Sequence, residues 1–156
     1  MITSIILNKY KGHYMVYIFD ENDLLWISFK LRYLIKNKLQ DELNNHDISV
    51  DQWIILSLIY QNEGNNQKNL AEVSHKDGAV ITRILNKLES NGLIERKNSY
   101  RDKREFLIYL TDNGNDLYEK TASIISHNAQ KIDSLFNEKE LEQFKFLMNN
   151  LLSNLE

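Results

Sequence analysis

Hydrogen-bond donors are concentrated in two short segments in the middle of this 156-residue chain. In the first segment, small, polar and basic residues recur at helical spacing: Ala79, Thr82, Arg83, Asn86 and Lys87. In the second, the carboxylate Asp102 is accompanied by four cations: Lys97, Arg101, Lys103 and Arg104. The hydroxyl, amide, ammonium and guanidinium groups among these residues donate hydrogen bonds to phosphate oxygens and to the acceptor edges of bases. The residue types therefore predict binding to a polyanion, and a solvated charged turn is the alternative for the second segment.

Two helices joined by a turn are expected to position the first segment. Residues 67–74 fit a short helix with an apolar side, and residues 75–77 fit the turn. In the second helix, four apolar residues at i, i+3, i+4 and i+7 form a core stripe opposite the donors: Ile81, Ile84, Leu85 and Leu88. Asp77 is the expected cap of this helix, and Gly92 is the expected left-handed residue after it. The pattern predicts a helix-turn-helix.

A hairpin is expected to position the second segment. Residues 93–97 and 105–110 are strand-like runs, the second rich in β-formers, and the charged loop lies between them. A helix-turn-helix followed by a basic hairpin describes a winged helix.

Apolar helices are predicted on both sides of this module. They are a long helix from residue 22 or 23 to about 44, a helix opened by the capping-box sequence at 49–52, a helix from Thr111 to about Phe136, and a closing helix from Asn137. The predicted fold class is mainly α with a small β-hairpin wing (α+β), in which a winged helix-turn-helix is flanked by dimerisation helices.

Three regions follow from these predictions. Residues 49–110 form the winged DNA-binding lobe, and residues 22–48 together with 111–156 form a helical dimerisation region. Residues 1–21 form an N-terminal arm of unclear structure, in which residues 13–19 resemble a strand that has no evident partner.

The first and last helices carry more apolar residues than one chain can cover. The first has two stripes, one of Leu24, Ile27, Leu31, Leu34 and Ile35 and the other of Trp26, Phe29 and Tyr33. The last has a single broad stripe: Leu141, Phe144, Leu147, Met148, Leu151, Leu152 and Leu155. Intertwining of two chains at these ends would bury both sets, so we predict a homodimer. A self-contained monomeric bundle is the alternative.

The charge is unevenly placed along the chain. The formal net charge is −3, made up of −2 in residues 1–65, +3 in residues 66–110 and −4 in residues 111–156. An acidic body with a basic middle orients a protein on a polyanion while limiting nonspecific adhesion. The chain has no cysteine, which excludes disulfides and thiolate metal sites and favours a cytoplasmic protein. Since no run approaches the ~18 apolar residues of a membrane span, we expect no membrane association.

The segment from Leu70 to Gly114 resembles the multiple-antibiotic-resistance regulator (MarR) family of winged-helix transcription factors. The fragments that carry the resemblance are Leu70-Ala71-Glu72, the run from Ile81 to Arg96, Asp102-Lys103-Arg104, and Leu110-Thr111-Asp112-Asn113-Gly114. The similarity extends to residues 48–53 and to the closing helix, so it covers roughly residues 22–155. Two positions depart from the pattern: His75 occupies the bend where small residues are usual, and Gly78-Ala79 opens the second helix where many relatives have hydroxyl residues.

The resemblance implies a homodimer whose two winged lobes straddle a pseudo-palindromic double-stranded DNA operator. Residues 77–91 would be the recognition helix in the major groove. Arg104 matches the wing arginine that enters the minor groove, and Asp102 matches the carboxylate that orients it. A guanidinium suits a narrow minor groove, where the negative potential is concentrated. The expected function is a sequence-specific transcriptional regulator; a repressor is the favoured interpretation and an activator is the alternative.

The resemblance also implies an effector. Many members release DNA when a small aromatic or anionic ligand enters a cleft between the dimer helices and the winged lobe. Trp26, Phe29, Lys30 and Tyr33 are the candidates for lining such a cleft. The favoured alternative is that they are dimer core or lobe packing, with Lys30 exposed.

Other classes of function find less support in the sequence. No phosphate-binding glycine loop and no nucleophile elbow is present, so we expect no enzyme and no cofactor. The four histidines are far apart and we predict no metal, although His46 or His127 joining carboxylates of another helix is a minor zinc alternative. A dimeric adaptor without DNA binding is the alternative regulator. The cations kept on both the helix and the hairpin argue against it.

Overall fold

The computed structural model describes residues 5–10, 13–18, 20–100 and 104–155, with the backbone alone for 5–10 and 13–18. The chain divides into two compact units, residues 1–41 and residues 42–156. The first unit contains two strands and most of a helix: β1 (Ile5–Tyr10), β2 (His13–Ile18) and α1 (Leu24–Leu43). Within the part of the chain that the structure describes, no helix is both long and apolar enough to cross a bilayer.

The strands β1 and β2 pair antiparallel, with Ile5 opposite Ile18 and Tyr10 opposite His13. The predicted strand at 13–19 therefore has the partner that the sequence did not reveal, and its last residue lies outside the described residues. The first strand was missed because Ile5, Ile6 and Leu7 are consecutive apolar residues without the alternation that marks a half-buried strand.

Helix α1 begins and ends within about two residues of its predicted bounds. Both of its predicted apolar stripes are exposed on the single chain except for Ile35, which is half-buried. The exposed apolar residues of this helix are Leu24, Leu25, Trp26, Ile27, Phe29, Leu31, Tyr33 and Leu34. Lys30 is exposed as well.

The second unit begins with the last two residues of α1, which are followed by a 3-10 turn at Asn44–His46. Its helices are α2 (Val50–Gln61), α3 (Gln67–Ser74), α4 (Gly78–Ser90), α5 (Asp112–Asp133) and α6 (Glu138–Leu155). Its strands are β3 (Asn65–Asn66), β4 (Ile94–Asn98) and β5 (Phe106–Leu110), which form an antiparallel sheet in the order β3-β5-β4. The winged-helix architecture predicted from the sequence is confirmed, and β3 is an addition to it.

Side-chain caps open four of these five helices, including α6, where Glu140 N donates to Asn137 Oδ1 at 3.0 Å as predicted. Ser49 and Gln52 form the predicted capping box, in which Ser49 Oγ accepts from Gln52 N at 3.2 Å and Gln52 Oε1 accepts from Ser49 N at 2.9 Å. Thr111 Oγ1 accepts from Gly114 N, as predicted. Asn66, which was not predicted as a cap, accepts from Asn69 N. Each bond satisfies a backbone donor that the first helical turn leaves without a partner.

The predicted side-chain cap at Asp77 is wrong. Asp77 occupies the cap position, and its carbonyl accepts from Ile81 N, but its carboxylate makes no cap hydrogen bond. The prediction for the other end of α4 is confirmed, because Gly92 has φ +69°. That conformation costs an L-residue about 1–2 kcal/mol but costs glycine little.

The core of the second unit lies between α2, α3, α4 and the sheet. All four residues of the predicted α4 stripe are buried. They pack with apolar residues of the neighbouring elements: Ile55, Leu56, Ile59, Leu70, Ile94 and Ile108. Each fully buried aliphatic side chain contributes about 1.5–3 kcal/mol. This core fixes which side of α4 faces outward.

Helix α5 is joined to α2 by a hydrogen bond and by stacked rings. Trp53 Nε1 donates to Thr121 Oγ1 at 2.9 Å. The ring of Tyr118 stacks against Tyr60, with ring centroids 3.9 Å apart, and against Trp53 at 6.0 Å. Thr121 is fully buried, so the indole donor and the hydroxyl acceptor satisfy each other. These contacts fix the first half of α5 on the winged lobe.

The N-terminus of α5 lies directly on the turn after α4. Thr111 donates from N to Leu93 O at 3.1 Å and from Oγ1 to Gly92 O at 2.6 Å. Gly114 is buried there, and a Cβ added to it would lie 2.0 Å from Leu93 O. At Gly114, the backbone of α5 therefore lies closer to the backbone of Leu93 than it could if residue 114 had a side chain.

Helix α6 follows α5 through a short turn. Phe144 stacks on Phe136 with centroids 5.3 Å apart, and Lys145 Nζ lies 3.2 Å from Asp133 Oδ2. Four residues of the predicted α6 stripe are exposed on the single chain: Phe144, Leu147, Leu152 and Leu155. Three more are half-buried: Leu141, Met148 and Leu151. The predicted stripe is thus present and largely uncovered.

Candidate nucleic-acid interface

Four of the five residues predicted on the outer side of α4 are exposed there. They are Ala79, Arg83, Asn86 and Lys87. The buried stripe on the other side of the helix holds them outward. Arg83 and Lys87 lie four residues apart, so their cations are one helical turn from each other. This surface presents cations, an amide and one methyl group to solvent.

The fifth residue, Thr82, is half-buried and already hydrogen-bonded. Its Oγ1 donates to Gly78 O at 2.8 Å and accepts from Gln67 Nε2 at 2.8 Å. The hydroxyl therefore braces α4 against α3 and does not offer its proton to a ligand. Thr82 can still contribute its methyl group and one lone pair to the surface.

A second brace joins α4 to the wing strand β4. Arg96 donates from Nη1 to Glu89 Oε2 and from Nη2 to Asn86 Oδ1, each at 2.8 Å. The arginine side chain is 23% exposed and the glutamate side chain 40% exposed. The Arg96 cation compensates the negative charge of the Glu89 carboxylate, which lies on the same helix as the donors of α4.

The turn between α3 and α4 is defined by one ion pair and one left-handed residue. Lys76 Nζ bonds Asp51 Oδ1 at 2.7 Å, which ties the turn to the first turn of α2. His75 ends α3 in the left-handed conformation, with φ +50°. That conformation explains why small residues suit the position, because a side chain there carries a steric cost of about 1–2 kcal/mol.

The wing is described at its base. Arg104 is exposed, whereas the predicted contacts Arg101, Asp102 and Lys103 lie outside the described residues. Lys97 bonds Glu95 at 2.7 Å and lies 4.9 Å from the centroid of the Tyr109 ring. The hydrogen bond to Glu95 raises the pKa of Lys97 above its ordinary value. Lys97 is therefore a paired cation, and its charge is partly compensated within the hairpin.

An open cleft of about 710 Å³ joins the two predicted segments. Thr82 and Asn86 of α4 line one part of it, and Arg104 of the wing lines another. Lys68 and Arg96 add two further cations. Glu89 and Glu105 also line it, so α4 and the wing share one open cleft that contains both cations and carboxylates.

Two comparisons with known proteins bear on this arrangement. The sequence profile of the MarR family matches residues 48–106. The organic hydroperoxide resistance transcriptional regulator of Bacillus subtilis (strain 168) is 31% identical over 104 residues, which are 67% of this chain and 71% of that protein. The chain belongs to the MarR family.

Further MarR-family relatives agree with the fold and with this assignment. The HTH-type transcriptional regulator SarZ of Staphylococcus epidermidis is 30% identical over 122 residues, which are 78% of this chain and 76% of that protein. The crystal structure of a MepR–DNA complex from S. aureus is 28% identical with a TM-score of 0.82, and the match covers 88% of this chain and 99% of that one. These relatives are named as transcriptional regulators or as a DNA complex, and none of the three is named as an enzyme.

Sequence reasoning missed three residues of this MarR-family surface: Gln67, Glu89 and Arg96. Each acts through another side chain, and the partners lie 7 to 15 residues away on a different element. Periodicity reports which side of one helix is apolar, and it carries no signal for bonds between elements. The Leu-Ile-x-Arg run of residues 93–96, which follows Gly92, marked the position of Arg96 but not its role.

A second open cleft, of about 770 Å³, lies beside the other end of α4. Lys87 and Asn91 line it together with His46, Asp116 and Lys120. His46 was a candidate for a minor zinc site, as was the exposed His127. Among the described residues, no group of three or more histidine, aspartate or glutamate side chains is placed to hold a metal ion.

Proposed function

We propose that this MarR-family chain binds double-stranded DNA sequence-specifically as a homodimer on a pseudo-palindromic operator. Helix α4 would enter the major groove, and Arg104 on the wing would enter the adjacent minor groove. The observation that carries the proposal is the open cleft that Thr82 and Asn86 of α4 share with Arg104 of the wing, on a helix whose Arg83 and Lys87 are also exposed. A dimer that covers an operator excludes other proteins from that DNA, so the expected effect is repression.

The charge of the chain supports this orientation. Residues 66–110 carry +3 while the rest of the chain carries −6, so a polyanion is attracted to the winged lobe and repelled elsewhere. The dimer part of the proposal is supported by the uncovered apolar stripes of α1 and α6. For effector release, the candidates are four exposed residues of α1: Trp26, Phe29, Lys30 and Tyr33.

Selection from a pool of random-sequence duplexes tests the function. The full-length chain is expected to enrich duplexes with two inverted half-sites about 10–10.5 base pairs apart, centre to centre. In a gel shift, the selected duplex should bind at least ~10³-fold more tightly than a scrambled duplex at the same salt concentration. A pool that shows no enrichment would contradict the proposal and favour the adaptor alternative.

Replacing Arg83 by alanine is expected to reduce discrimination between DNA sequences. A bidentate contact from the exposed guanidinium to guanine is worth about 1–3 kcal/mol against the wrong base. Arg83→Ala should therefore weaken binding to the selected duplex more than binding to the scrambled one, measured by fluorescence anisotropy. Equal losses on both duplexes would show that Arg83 contacts only phosphate.

Replacing Arg104 by alanine should weaken DNA binding while leaving the dimer and its melting temperature nearly unchanged. Arg104 is exposed, so its loss should affect the complex far more than the fold. Because a dimer has two wings, the slope of log affinity against log salt should flatten by up to about two units. Arg104→Lys should restore the wild-type salt slope more fully than the wild-type affinity, because lysine keeps the charge but lacks the planar guanidinium.

Lys97→Ala is the matched control for Arg104. It removes another cation of the same hairpin, one that is bonded to Glu95 and to which the proposal assigns no groove contact. Its salt slope should stay closer to that of the wild type. If Arg104→Ala binds the selected duplex as the wild type does throughout a salt titration, the minor-groove role is wrong. Asp102→Ala should resemble Arg104→Ala but with a milder effect.

A further inference from the structure

Arg96 contacts two residues of α4 that lie one turn apart. Its two terminal nitrogens reach Asn86 and Glu89, each at 2.8 Å, from the adjacent strand β4. Most of the side chain is buried, and the residue lines part of the cleft between α4 and the wing. A planar guanidinium suits this geometry because its donors diverge in one plane and can engage two acceptors at once.

The bond from Arg96 fixes which end of the Asn86 amide faces outward. An amide group can present either its oxygen or its nitrogen, and the hydrogen-bond network decides between them. A guanidinium has only hydrogen-bond donors, so it can donate to the Asn86 oxygen but cannot bond to the amide hydrogens. With Oδ1 held by Arg96, Asn86 is left with its two Nδ2 hydrogens for a ligand.

We propose that Arg96 is a positioning residue that presents Asn86 to the operator as a hydrogen-bond donor. This inference rests on the proposed function. Donors in the major groove recognise the guanine O6 and N7 atoms and the thymine O4 atom. Asn86 therefore contributes sequence discrimination only while Arg96 holds its oxygen. Glu89 completes the arrangement, because its carboxylate holds the second nitrogen of the fork and its charge is neutralised near the phosphates.

A double-mutant cycle between Arg96 and Asn86 tests this role. The probes are the duplex that the wild type selects from a random pool and its single-base-pair variants. Asn86→Ala should lower affinity for the selected duplex roughly tenfold and abolish discrimination at one base pair of each half-site. Arg96→Lys keeps the charge but not the fork, and it should lose discrimination at the same base pair. The double variant should lose no more than either single variant.

Three measurements separate positioning from general support of the fold or from direct phosphate contact. The melting temperature of Asn86→Ala should be close to that of the wild type, because Asn86 is exposed. The salt slope of Arg96→Lys should match that of the wild type, since its charge is retained. Arg32→Lys on α1 is the matched control for the substitution itself, and it should change neither discrimination nor slope.

Asn86→Asp tests the donor without touching Arg96. Its carboxylate still accepts from Arg96 but has no donor, so affinity for the selected duplex should fall at least as far as in Asn86→Ala. Wild-type affinity of Asn86→Asp, or additive losses in the cycle, would overturn the positioning role alone. If the wild type selects no duplex, DNA binding itself fails and both proposals are overturned.

Discussion

A chain that ends at Phe136, before α6, is expected to sediment as a monomer and to bind the selected operator only weakly. Removing α6 removes a stripe whose exposed members on the single chain are Phe144, Leu147, Leu152 and Leu155. Burial of each such side chain contributes about 1.5–3 kcal/mol, and each dimer would bury two sets. Analytical ultracentrifugation at micromolar concentration gives the readout. Loss of the dimer also separates the two half-site contacts, so operator affinity should fall with it.

Two adjacent residues of α6 provide a sharper version of this test. Leu147 lies on the stripe and is 56% exposed, whereas Phe146 is 64% exposed and lies outside the stripe, about 100° around the helix from Leu147. Leu147→Asp should therefore weaken the dimer, and Phe146→Asp should leave it intact. A truncated chain that remains dimeric, or equal effects of the two aspartates, would show that the dimer interface lies elsewhere.

Gly114→Ala is expected to lower the melting temperature by ~10 °C, which corresponds to about 3 kcal/mol for a chain of this size. The added Cβ would lie 2.0 Å from Leu93 O, and that atom belongs to the backbone rather than to a flexible side chain. Relief requires α5 to move away from the turn at Gly92, which weakens the bonds that Thr111 makes there. Circular dichroism melting measures the effect.

Gly78→Ala is the matched control for Gly114→Ala. It places the same substitution at the start of α4, where a Cβ would meet nothing within 4 Å. Its melting temperature should be equal to that of the wild type or slightly higher, because alanine lowers the entropy of the unfolded chain. If the Gly114→Ala and Gly78→Ala variants had the same melting temperature, α5 would accommodate the extra methyl group without loss of stability.

The sequence predicted the parts of the fold that depend on nearby residues. The capping box of Ser49, the cap at Thr111 and the left-handed Gly92 each involve residues within a few positions of one another. The buried stripe of α4 follows from periodicity within one helix. Asp77 shows the limit of such rules, because a residue type favoured at a cap position does not ensure that its side chain makes the bond.

Features that depend on distant partners escaped prediction. The two-residue strand β3 pairs with β5 about forty residues later, and its asparagines signal a turn rather than a strand. Thr82 was expected on the outer face, but Gln67 of α3 engages its hydroxyl. The bridge from Arg96 to α4 likewise depends on how β4 lies against the helix. These contacts set the detailed shape of the candidate interface.

Because α5 is long, a small tilt of the helix displaces one of its ends by several ångströms. Its 22 residues extend about 33 Å without a break, and its first turn lies against the turn that ends α4. A tilt of only about 10° at its far end would displace the near end by ~6 Å, which is nearly two base-pair steps of B-DNA. Because Thr121 holds Trp53 near the middle of α5, helix α2 would be carried along. If the winged lobe binds DNA as proposed, small angular changes far from the DNA would be sufficient to take it out of register with the groove.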